Sequence, residues 1–167
     1  MRKMPLPALL LALFAVIFLG SLAVAAVQMP ERVATHFNAA GNPNGWMSLR
    51  QHLLILGIGG TLLPAILATA FYGLRFTRAE RLRIPNREHW LAPERRAETF
   101  AWLFRHALWF DCLWLAFFTA IGLLILQANT VHPPRLAPGP SLALGAGFTA
   151  GVILWGVCMI RRFMKRK

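Results

Sequence analysis

Apolar residues fall into four blocks along the chain, 6–27, 53–74, 107–126 and 142–160, separated by segments where polar residues, glycine and proline concentrate. At ~1.5 Å per helical residue each block is long enough to cross a hydrocarbon layer of ~30 Å. None carries the one-sided apolar stripe of a soluble amphipathic helix, and each far exceeds the length of a strand. The pattern predicts an all-α protein, an integral membrane bundle of four transmembrane helices in one domain over residues 1–167. Residues 30–50 then form the first connection and residues 75–106 the second.

The segment 30–46 is the most chemically mixed part of the chain. Gly41 and Gly45 can take positive φ, Pro43 fixes φ, and Asn44-Gly45 is a tight-turn dipeptide, so a specified loop is expected. Residues 131–141 contain Pro133, Pro134, Pro138 and Pro140, which predicts a stiff, non-helical link. Pro93 suits a first helical position with Glu94 near the positive end of the dipole, so one helix is expected to run from Pro93 into the third block. The second helix is expected to open after Arg50-Gln51-His52 and to kink near Gly60, where Pro64 removes a backbone bond. Gly57, Thr61, Ala65, Thr69 and Gly73 form a small-residue face on that helix, and Ala143, Gly147 and Gly151 form one on the last. Small residues permit close backbone approach in lipid, so these faces are expected to meet each other or a second copy in a homo-oligomer.

Composition agrees with a membrane protein: 57% of residues are hydrophobic and 14% charged. The net charge of +12 raises nucleic-acid binding as a function, and the positions of the cations answer it. Arg2, Lys3, Arg75, Arg78, Arg81, Arg83, Arg87, Arg95, Arg96, Arg105, Arg161, Arg162, Lys165, Arg166 and Lys167 would share one side of a four-span topology, against Arg32, Arg50 and Arg135 on the other. The positive-inside rule then places both termini in the cytoplasm and the 30–50 loop outside, and topology accounts for the basicity without nucleic acid. Arg75, Arg78, Arg81 and Arg83 with interleaved apolar residues suit anionic lipid headgroups at the cytoplasmic face. Trp90 and Trp102 are expected at the inner interface and Trp46 at the outer one. The N-terminal run followed by Ala23-Val24-Ala25 also fits a cleaved signal peptide, and an uncleaved first span is the expectation adopted. Cys112 and Cys158 are expected to be unpaired packing residues.

Candidate chemistry is sparse. His36, His52 and His132 would all lie outside, but no paired spacing on one helix enforces a metal site, so no metal or cofactor is expected. Asp111 is the one acid inside a span, where charge costs about 2.5–3.5 kcal/mol at a central position, and pairing with Arg105 or His106 is expected. No nucleophile elbow, phosphate loop or pair of intramembrane carboxylates is present, and no enzyme activity is expected.

Pro30, Val33, His36, Phe37, Asn38, Gly41, Pro43, Gly45 and Trp46, placed after a first apolar span, resemble the bacterial membrane family catalogued as domain of unknown function 1648. Pro85, Asn86, Arg87 and Trp90, followed by Arg95 and Arg96, resemble the cytoplasmic loop of its proteobacterial members. The resemblance implies an inner-membrane protein without an assigned activity. One branch is similar to an immunity protein against a sporulation-delaying toxin that also sequesters a repressor, and that protein has further spans. The resulting expectation is a non-enzymatic bacterial inner-membrane protein whose outer loop recognises a peptide, a lipid or a membrane-protein partner. A small transport or channel subunit using Asp111 is the alternative.

Overall fold

The computed structural model describes residues 4–164. In chain order they form α1 (Leu6–Gln28), β1 (Arg32–Phe37), β2 (Pro43–Ser48), α2 (Leu49–Gly73), two single 3-10 turns, a one-turn α3 (Arg87–Trp90), α4 (Pro93–Asn129) and α5 (Pro138–Met164). The helices α1, α2, α4 and α5 are each long and apolar enough to cross a membrane. The architecture is therefore that of a multi-pass membrane protein. Large apolar side chains such as Val16, Leu142 and Leu154 point away from the protein, as a lipid-facing surface requires.

The all-α expectation holds for the bundle but misses its one small sheet, the antiparallel hairpin β1–β2. Arg-Val-Ala-Thr-His-Phe is rich in strand formers, and β2 alternates half-buried and exposed positions. Asn44-Gly45 is not the turn. It lies inside β2, and the chain reverses at Asn38–Gly41, where the Gly41 N–H donates to Asn38 O at 2.9 Å.

Two helix starts also depart from expectation. Helix α2 opens at Leu49 because Ser48 and Gln51 form a reciprocal capping box that satisfies first-turn donors. Helix α5 opens at Pro138, since a first turn makes no use of the N–H that proline lacks. The continuous helix from Pro93 through the third apolar block is as predicted.

Helix α4 is the hub, packing against α1, α2 and α5, whereas α2 and α5 are not packed together. The small-residue faces are thus not a joint interface. A Cβ at Gly147 or Gly73 would meet nothing, and one at Gly57 would make only ordinary contact with Leu22 at 3.7 Å. Close approach occurs elsewhere. A Cβ on Gly60 would run into the ring of the fully buried Phe18, and one on Gly151 would lie 2.9 Å from Leu113. Gly60→Val is therefore expected to cost about 1–3 kcal/mol by overpacking. Gly147→Val should leave folded yield and apparent melting temperature in detergent nearly unchanged, and the paired measurement checks both.

Interhelical polar contacts add to the hub. Trp114 Nε1 donates to Gly59 O at 2.9 Å, one residue from the carbonyl that Pro64 deprives of its helical donor. His106 and Trp155 bond each other's helices in both directions, His106 Nε2 to Trp155 O at 3.0 Å and Trp155 Nε1 to His106 O at 2.8 Å. The His106 ring is stacked on those of Trp102 and Trp155, with centroids at 4.6 and 4.8 Å.

Candidate functional site

The hairpin stands on the helix ends through an apolar foot. Val33 packs with Ala25, Met29 and Leu126, joining β1 to α1 and α4. Beside it, the carboxamide of Asn129 at the end of α4 acts as a stub of a third strand. Ala34 N–H donates to Asn129 Oδ1 at 2.9 Å, Asn129 Nδ2 donates to Ala34 O at 2.9 Å, and the same Nδ2 donates to Ile125 O at 2.8 Å. Both Ala34 and Asn129 are buried, so this pairing removes the orphan groups that an isolated strand edge would carry.

The turn is fixed on the other side. Gly41 has φ +81°, and its carbonyl accepts Leu136 N–H at 3.0 Å from the link between α4 and α5. Asn38 Oδ1 accepts the N–H groups of Ala40 and Asn42, both at 3.0 Å, while Asn38 N–H donates to Asn42 O at 2.9 Å. Gly45 lies opposite His36, and a Cβ there would sit 2.9 Å from the His36 Cβ. Pro43 pairs with Phe37, and both are half-buried. With these residues occupied in holding the shape, Arg32, His36, Asn44 and Trp46 remain exposed. Trp46 is 43% exposed, the Arg32 guanidinium lies 5.8 Å from its ring centroid, and His36 Nδ1 is 3.1 Å from Thr35 Oγ1.

A second feature lies within the bundle. Asp111 is fully buried, and neither carboxyl oxygen has a hydrogen-bond partner among the described residues. The expected pairing with Arg105 or His106 is not formed. Five residues turn the helix by about 500°, which leaves Asp111 about 140° from His106, and Arg105 is about 120° away on the same reckoning. Its neighbour Cys112 is buried with Sγ 3.4 Å from Pro7 O, whereas Cys158 is exposed, contrary to its expected packing role. The three histidines do not converge: His36 and His132 are exposed, and His52 is buried with Nε2 unpartnered among the described residues. No cluster of metal-ligating side chains occurs among the described residues.

A family model described as Domain of unknown function (DUF1648) matches residues 10–67. That segment belongs to DUF1648. No curated protein and no solved structure matches the chain. The DUF1648 segment comprises most of α1, the whole hairpin and much of α2. Asn129, Leu136 and Asp111 lie beyond it, so the hairpin of the DUF1648 segment is locked by residues from the rest of the chain. The match carries no activity and lends no support to the likeness with a toxin-immunity protein.

The motif around Asn86 also lies beyond the DUF1648 segment, and it has a structural task. Asn86, at φ 52°, donates from Nδ2 to Phe163 O at 2.9 Å, and Trp90 Nε1 donates to the same carbonyl at 3.2 Å. These bonds tie the Asn86 turn to the last described turn of α5. Pro85 leads into this turn, Arg87 donates to Glu80 O at 3.3 Å, Arg95 bonds the His89 ring, and Arg96 donates to Thr77 O at 2.9 Å. Sequence reasoning missed Asn129 as the hairpin's partner. The amide side chains at the polar end of an apolar helix, Gln127 and Asn129, were the signal available for it.

Proposed function

We propose that this is a non-enzymatic bacterial inner-membrane protein, with both termini cytoplasmic, whose outward hairpin recognises a peptide or membrane-protein partner. The observation that supports this reading most is the exposed pair Arg32 and Trp46, with the guanidinium 5.8 Å from the ring centroid, on a hairpin braced at β1 by Asn129 and at its turn by Leu136. An exposed tryptophan beside an arginine on a rigid support is the composition of an interface hot spot. A photo-crosslinking residue placed at position 46 in cells should give a discrete protein adduct that Arg32→Ala diminishes. Absence of any protein adduct from a folded, correctly inserted protein would refute the reading.

The buried, unpartnered Asp111 favours a second reading, a small transport or channel subunit in which this carboxyl handles an ion or proton. Under it, Asp111→Asn should abolish ion or proton flux in proteoliposomes. Equal flux for both proteins would remove it.

A further inference from the structure

At the end of the bundle opposite the hairpin, the first turns of α4 and the last turns of α5 flank a groove of about 660 Å³ lined by Arg95, Trp102, Cys158, Arg161 and Arg162 among others. Its mouth is cationic. Arg162 is held in position by Glu98 Oε1 at 3.3 Å and by the rings of Trp90 and Trp102 at 4.8 and 5.5 Å. A guanidinium has five N–H donors, so this placement leaves donors for an anion. Glu98 is the one acid lining the groove, against three arginines. The inner part is different in kind: Cys158 lies two residues inside the apolar block of α5, and Trp102 forms the facing wall.

A cationic mouth above an apolar floor, at the level where two membrane helices leave the hydrocarbon, matches an amphiphile. A small soluble anion would use the mouth alone. We propose that this groove is a discrete binding site for the phosphodiester headgroup of an anionic phospholipid, with an acyl chain following the seam between α4 and α5. It is separate from any diffuse attraction of the 74–83 arginines to the membrane surface, and it does not depend on the hairpin's role.

Cys158 provides the readout, because it is exposed while the second cysteine, Cys112, is buried. The full chain is placed in nanodiscs of phosphatidylcholine, with or without phosphatidylglycerol, and the rate of maleimide labelling at Cys158 is measured. Phosphatidylglycerol should slow labelling. At ~1 kcal/mol per cation, Arg95→Gln and Arg161→Gln should each raise the phosphatidylglycerol content needed about fivefold. Arg78→Gln should leave it unchanged. Equal labelling rates in the two wild-type discs would overturn the proposal, and this arm needs no variant to fold. Equal protection by inorganic phosphate in phosphatidylcholine discs would show a site for small anions instead. An equal effect of Arg78→Gln would show diffuse surface attraction, and would overturn the proposal as well.

Discussion

Gly41→Val should lower the stability of the protein by about 3 kcal/mol, from two additive causes. The first is conformational: at φ +81° an L side chain meets its own backbone, at about 1–2 kcal/mol and more for a β-branched residue. The second is contact, because a Cβ at this position is directed into the carbonyl of Leu136. The link between α4 and α5 must then retreat, taking with it the bond from Leu136 N–H to Gly41 O, worth about 1 kcal/mol. Gly41→Asn separates the causes, since asparagine tolerates the left-handed region but still carries a Cβ. It should fall between wild type and Gly41→Val in apparent melting temperature. If both variants melt with the wild type, the turn is not held against the 131–136 link.

Asn129→Leu should be at least as damaging. Leucine matches the volume but offers neither donor nor acceptor, so the buried N–H and C=O of Ala34 lose their partners together. An orphaned buried polar group costs about 1–3 kcal/mol, which puts the pair at about 2–6 kcal/mol. Asn129→Asp should also destabilise: it can still accept from Ala34 N–H, but it has no donor for the Ala34 carbonyl. Retention of full stability by Asn129→Leu, measured in detergent and again in lipid, would mean that the hairpin is not secured through β1.

These two contacts also show what could be read in the chain alone. The four spans were legible because an apolar block of about twenty residues is a length statement that tertiary context seldom overrides. Likewise the long α4 was legible from Pro93, and the positive φ of Gly41 from the turn chemistry around it. The hairpin was not, because glycine, proline and asparagine within β2 hide the alternation and read as turn residues. Asn129 with Ala34, Leu136 with Gly41, and Phe163 with Asn86 and Trp90 join distant parts of the sequence, and no local pattern announces such pairs. Asp111 stood out in the sequence as the one acid in an apolar block, but its neighbours in sequence were the wrong place to look for its surroundings. Helical rotation carries them to other faces.

The hairpin is built into the helix bundle as a rigid platform, and the proposed recognition role depends on that rigidity. Hydrogen exchange at the Ala34 amide tests it most directly, since that N–H has a single partner, on a different element 95 residues away. The amide should exchange as slowly as those in the core of α4, and Asn129→Leu should bring it to the rate of an exposed loop. Fast exchange at Ala34 in the wild-type protein would contradict the account, because the hairpin would then be a solvated loop tethered to the bundle.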